Sequence, residues 1–286
     1  MDQLKNFDEF SSIFRRSVIP HFQFETWKVE TACLIVDQNS AEPEPVIERL
    51  KTFSPALAEA HEWKTIQVDK SSTVESVEQQ LAASLPDLIV TWRHLCETQM
   101  HPHHSLGVYV DVLTQVVPRP ILLLPGECSQ GAEKLPPKCQ NILIATDHAI
   151  QESRLIHQAV AMGGKEASII LGHVEDDLSY QRYLQAIERI PEINTEIAAE
   201  KLLSQLLHDA DRFGVHVAEQ LAEQYPDLTL KTETMLGHRV QTFRKLVESQ
   251  QTDLLVMNTK DQDQLAMHGL AYSLSIELRD IAQLLV

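Results

Sequence analysis

The side chains best suited to chemistry gather in one short stretch of the first half. His94, Cys96, His101, His103 and His104 fall within eleven residues. Imidazole and thiolate together suit Zn²⁺ or another borderline metal. The spacing matches no standard finger, however, and His101-Pro102-His103 does not easily place both rings on one ion. A solvated histidine cluster is the competing reading, and His101, His103 and His104 stand as the weak metal candidates. Cys128 and Cys139 flank a Gly/Pro-rich stretch without the spacing of a clip or redox pair. Neither GxSxG nor HExxH occurs, so no nucleophile or metalloprotease constellation is present. GxGxxG and GxxxxGK[ST] are absent as well.

Two aspartates follow apolar runs that read as strands. Asp37 ends residues 32–36 (ACLIV), and Asp147 follows residues 141–145 (NILIA). Open α/β sheets bind ligands at the carboxyl ends of their strands, so each is a candidate for a ribose or metal contact. Each could equally cap a turn or helix. His173 reads as a structural residue near a strand end. The run Glu175-Asp176-Asp177 could hold Mg²⁺ but is read as a solvated loop.

The totals narrow the function classes. The formal net charge of −17 disfavours binding to nucleic acid and to anionic membranes. With 43% hydrophobic residues the chain can bury a core, and no apolar run approaches a membrane span. The N-terminus lacks a signal-peptide pattern, and four scattered cysteines suggest a reduced, cytoplasmic protein. At 286 residues the chain suits two ordinary α/β units.

Periodicity supplies the elements that would position these residues. In the first half it predicts strands at 32–36, 63–68, 87–90 and 121–124, with helices at 45–60, 74–85 and 106–117. In the second half it predicts strands at 141–145, 168–174, 228–234, 253–257 and 284–286. Helices are expected there at 153–162, 240–249 and 271–280, with one long helical region over 192–224. Alternation of strand and helix implies right-handed crossovers and a parallel sheet covered on both faces. Asp87-Leu88-Ile89-Val90 matches Asp253-Leu254-Leu255-Val256, each followed by a polar loop, a helix and a final apolar strand. That repeat marks a duplicated unit. The expected division is an N-terminal extension (1–28), a first domain (29–126), a linker (127–138) and a second domain (139–286). Within the extension, residues 7–17 read as a short amphipathic helix that packs on a domain or on a partner.

On these residues the chain resembles the universal stress protein family. Ile142-Leu143-Ile144-Ala145-Thr146-Asp147 looks like the family's opening strand, and Leu171-Gly172-His173-Val174 like its second strand ending in His-Val. Residues 253–257 look like its late strand, and residues 106–124 like its final helix and closing strand. The resemblance implies two tandem Rossmann-like domains of the adenine nucleotide alpha hydrolase-like type, each with a parallel sheet, the first truncated. The short span between Asp37 and Trp63 is read as loss of the strand ending in His-Val and of the helix after it. The resemblance also implies that the closing strands 121–124 and 284–286 pair across a pseudo-twofold, giving a homodimer or an intramolecular pseudo-dimer.

Family members hold phosphate with Gly-x2-Gly-x9-Gly-Ser/Thr, because backbone N–H groups approach an anion closely where no Cβ intervenes. Here Asn258 and Asp261 stand at the first two glycine positions, Gly269 at the third, and Leu270 replaces the hydroxyl. In the first half Trp92 and Leu95 replace glycines, Gly107 matches the third, and Val108 replaces the hydroxyl. Arg93, His94 and His104 could offer positive charge there. The resemblance therefore implies a non-catalytic regulatory or stress-response protein without a cofactor, which binds a partner protein or a small ligand. The ligand candidates are Asp147, Val174, Asn258, Thr259, Lys260 and Gly269, with Asp37, Arg93, His94 and Gly107 as the first-domain counterpart. The alternative is binding of ATP or AMP in the second domain with little or no hydrolysis. A metal-responsive module built on the first-domain histidines is the third reading.

Overall fold

A computed structural model describes residues 22–97, 104–146, 153–259, 267 and 269–286. In the first half, β1 (Thr31–Asp37), β2 (Glu62–Val68), β3 (Leu88–Thr91) and β4 (Ile121–Leu123) alternate with helices α1 (Pro43–Phe53), α2 (Pro55–Ala58), α3 (Val74–Ser84) and α4 (Val108–Val116). In the second half, β5 (Asn141–Thr146), β6 (Ser168–Asp176), β7 (Thr229–Gly237), β8 (Leu254–Met257) and β9 (Ala282–Leu285) alternate with α5 (Ser153–Gly163), α6 (Asp177–Glu188), α7 (Thr195–Gln224), α8 (Arg239–Ser249) and α9 (Gly269–Glu277). All nine strands join one sheet in the order β2-β1-β3-β4-β9-β8-β5-β6-β7.

Every neighbouring pair is parallel except β4 and β9, which run antiparallel with Leu122 opposite Leu284. The two closing strands therefore satisfy each other's edge groups, as their resemblance to the family implied. The central strands are apolar without alternation because helices cover both faces. Leu34, Ile35, Leu143, Ile144, Leu255 and Val256 are fully buried. Each such side chain contributes about 1.5–3 kcal/mol relative to exposure.

The matching Asp-Leu-Ile/Leu-Val segments do the same structural work in both halves. Asp87 Oδ2 accepts from the N–H groups of Glu30 (3.0 Å) and Thr31 (2.9 Å), where β1 begins. Asp253 Oδ2 accepts from those of Gln140 (2.9 Å) and Asn141 (2.8 Å), where β5 begins. One carboxylate thus ties the start of the late strand to the start of the opening strand. Asp253→Ala and Asp87→Ala should each lower the free energy of unfolding by about 2 kcal/mol, since hydrogen bonds to a charged acceptor are the strong ones. Urea denaturation checks this, and unchanged midpoints in both variants would contradict the clamp.

Three expectations are corrected. The helix expected over 45–60 is divided. Ser54 is extended (φ −135°, ψ 132°) because Pro55 disfavours helical backbone before it and brings no N–H. The acidic run read as a solvated loop is the end of β6 and the start of α6. Asp176 Oδ2 accepts from Ser179 N (2.9 Å) and Ser179 Oγ (2.8 Å), capping that helix. α6 is thus a helix that periodicity did not predict, and the long helical region expected over 192–224 is the single helix α7, capped by Asn194 Oδ1 on Ile197 N (3.1 Å). Finally, the first half does not lack the strand beside its opening strand. β2 lies against β1 as β6 lies against β5, across connections of similar length (38–61 and 147–167). Among the described residues, the first half has no counterpart of an outer strand like β7 or of the helices α6 and α7.

Candidate functional site

The carboxyl ends of the strands form two candidate edges, one per half. Pseudo-equivalent positions follow from backbone pairing. Leu124 N donates to Thr91 O (2.8 Å), and Val286 N donates to Met257 O (2.9 Å). Arg93 therefore corresponds to Thr259, two residues beyond each late strand.

Neither of these two side chains faces an open site. Thr259 is buried, and both its N–H and its hydroxyl donate to Val286 O at 2.8 Å. Arg93 is also buried. Its Nη1 donates to Leu124 O (3.3 Å), while Nε (3.2 Å) and Nη2 (3.0 Å) donate to Ser275 O. Ser275 lies in the last turn of α9, where carbonyls lack helical partners and the dipole is negative. Arg93 thus carries a charge from the first half onto the C-terminal end of a second-half helix. Burial and the neighbouring Arg279 lower its pKa to about 9, with Asp280 opposing, so it stays protonated at neutral pH.

The first-half edge is filled by the protein's own groups. After β3 the chain turns through His94 (φ 54°) and Cys96 (φ 59°), both left-handed. That turn brings Glu97 to the N-terminus of α4. Glu97 Oε1 accepts from Val108 N (2.5 Å), and Oε2 meets His94 Nδ1 (2.9 Å). A carboxylate therefore occupies the position where orphan N–H groups and the helix dipole favour an anion. Gly107 seals the contact. Its φ is 91°, and a Cβ there would lie 2.6 Å from His94 N and 2.8 Å from His94 Cα. Burial raises the pKa of Asp111, in the first turn of α4, and Glu97 raises it further.

Asp37 makes a turn, its Oδ1 accepting from Asn39 N (2.9 Å). It also lies beside two cysteines. Burial, with Asp37 adding to it, pushes the Cys96 thiol up to about 12, and burial pushes Cys128 up to about 11. Both remain protonated near neutral pH and are poor nucleophiles. His104 is exposed, and its carbonyl accepts from Tyr272 Oη (3.5 Å). His101 and His103 lie outside the described residues. Among the described residues, no group of three or more His, Cys, Asp or Glu side chains is placed to hold a metal ion.

The second-half edge is built differently. β8, β5 and β6 are neighbours, so Asn258 follows the end of β8, Thr146 ends β5, and Val174 lies in β6 just past the Thr146–His173 pair. Val174 is fully buried, and its carbonyl accepts from Arg239 Nε (3.2 Å). His173 is buried with Nε2 3.1 Å from Glu175 Oε1. α9 begins at Gly269, which is exposed, and among the described residues a Cβ there would meet nothing within 4 Å. Asp147 and Lys260 lie outside the described residues, as do Asp261 and Asp263.

Sequence reasoning missed Glu97 as the group that fills the first-half edge. Only its position between a left-handed turn and the start of α4 reveals it. It also missed that Arg93 points beneath the edge.

No curated protein matches the chain significantly. Residues 138–270 match the universal stress protein family. Among solved structures, a universal stress protein from Archaeoglobus fulgidus DSM 4304 is similar with a TM-score of 0.54 and 11% identity, over 91% of this chain and 98% of that one. A putative universal stress protein from Pseudomonas aeruginosa UCBPP-PA14 gives 0.51 and 12%, over 90% and 93%. A functionally unknown protein from Pseudomonas aeruginosa PAO1 gives 0.51 and 11%, over 90% and 92%. At these identities the likenesses establish the mostly parallel, Rossmann-like α/β fold. Among the described residues, no helix is long and apolar enough to cross a membrane. Over residues 138–270, just under half of its length, the chain is similar to the universal stress protein family.

Proposed function

We propose that this chain is a non-catalytic regulatory protein of the universal stress type, with two tandem units and one ligand seat at the carboxyl edge of the second. The observation that carries this reading is the contrast between two equivalent helix starts. α4 is closed by Glu97 and by Gly107 packed on His94, whereas α9 starts at an exposed Gly269 where, among the described residues, an added Cβ would meet nothing within 4 Å. The first half then serves as a structural and interaction unit, joined to the second through β4–β9 pairing and Arg93.

A second reading, an adenine nucleotide as the occupant, is favoured by the same open helix start, which suits a phosphate. Equilibrium titration of the full chain with ATP and AMP tests both. Micromolar binding without phosphate release, lost in Gly269→Trp and in Asp147→Ala, would identify a nucleotide as the ligand of the single seat. Absence of nucleotide binding would leave a partner protein or another small ligand as the occupant. Steady ATP turnover would contradict the non-catalytic reading.

A further inference from the structure

We propose that the N-terminal extension, through the amphipathic segment 7–17, docks along the outer half of α7. The described chain begins at Phe22, which is fully buried. Its ring packs edge-on against Phe213 of α7 (centroids 6.1 Å) and beside His157 of α5 (5.7 Å). Phe24 continues the contact with His157 (5.4 Å) and Tyr225 (5.5 Å). The preceding chain of 21 residues is therefore delivered to the flank of α7, although the strand it leads into belongs to the first half.

α7 has thirty residues; its second half is packed on the sheet, and near its start α6 packs on it, with Tyr180 Oη donating to Ala199 O (2.9 Å). Ala210, Phe213, Gly214, Val217 and Leu221 are its buried residues. Upstream, Leu202 and Leu206 are only half-buried. At spacings of eleven and seven residues from Phe213, they continue the face that Phe22 touches. Ile197, in the first turn of α7, is 54% exposed.

The segment fits this stripe in three respects. Phe7, Phe10 and Phe14 recur at i, i+3 and i+7, one face of a helix. The eleven residues of the segment would span about 16 Å as a helix, and Leu202 lies about 16 Å along α7 from Phe213. Residues 18–21 are long enough to bridge to Phe22, and Pro20 among them disfavours a helix running on to Phe22. Charge agrees as well. Arg15 and Arg16 come seven and six residues before Phe22, and Asp209, on the same face of α7, comes four residues before Phe213. Aromatic rings on half-exposed leucines give the contact its hydrophobic component.

Hydrogen–deuterium exchange on the full-length protein tests this. Amides of 7–17 should exchange at least about tenfold more slowly than in an unstructured chain, and those of 195–210 should be protected with them. Phe10→Asp/Phe14→Asp should remove protection from both regions while leaving β5 and β8 unchanged. Leu202→Asp/Leu206→Asp should release 7–17 in return. Should that second variant misfold, the first still decides the matter, because its substitutions lie outside the sheet core. Equal exchange of 195–210 in wild type and in Phe10→Asp/Phe14→Asp overturns the proposal. So does protection that fades on dilution together with a dimer mass in sedimentation, because the occupant would then be a second copy.

Discussion

Gly107→Ala should destabilise the protein by about 3 kcal/mol, while Gly269→Ala, at the equivalent helix start, should be neutral or stabilising by up to about 1 kcal/mol. The first substitution meets two separate obstacles. A φ of 91° is costly for any residue with a Cβ, and that Cβ would lie within 2.8 Å of His94 backbone atoms that cannot swing aside. At Gly269 no atom of the described residues lies within 4 Å of the added carbon, and alanine is the better helix former. Opposite signs at matched positions would show that one edge is closed by packing and the other is open. Chemical denaturation of the two variants measures both numbers. A Gly107→Ala variant as stable as wild type would remove the physical basis for a closed first-half edge.

Arg93→Ala should cost about 3–5 kcal/mol. It leaves the carbonyls of Ser275 and Leu124 without their donor and opens a cavity where the two halves meet. Arg93→Lys should recover only part of the loss, because one ammonium lacks the planar fork that serves both carbonyls. Thr259→Val, at the corresponding place in the second half, removes a single hydroxyl bond and should cost about 1 kcal/mol. Thermal unfolding of the three variants checks the ranking. A cost below about 1 kcal/mol for Arg93→Ala would mean that the guanidinium does not hold the halves together.

The parts of this fold that were legible in the sequence are those written in local patterns. Continuous apolar runs marked the central strands because strands buried on both faces need no alternation. The matching segments were legible because Asp87 and Asp253 perform one clamping task in nearly identical sequence. Turn and cap chemistry was read less well. Ser54-Pro55 carried a readable break inside a helical pattern, and Asp176 with Ser179 carried a readable cap inside an acidic cluster. Both signals were outweighed by the broader composition around them.

The site was the least legible part. Glu97 reaches a helix that begins eleven residues later, so its partner is fixed by the left-handed turn at His94 and Cys96 rather than by spacing. Arg93 beside two histidines read as a cation available to a ligand. The fold instead sends its guanidinium under the edge to a helix end 182 residues away. Thr259 is diverted in the same way, onto the carbonyl of Val286. These diversions follow from the antiparallel joining of β4 and β9. It brings the residues after each late strand to the seam between the halves.

On the proposed reading, Glu97 and Gly107 close the first-half edge, and the second-half edge holds the ligand seat. An experimental structure of the protein crystallised with ATP tests it most directly. The account predicts Glu97 still seated on Val108 N–H and any bound nucleotide at the start of α9 beside Gly269. Phosphate found at the start of α4, with Glu97 displaced from Val108, would contradict it.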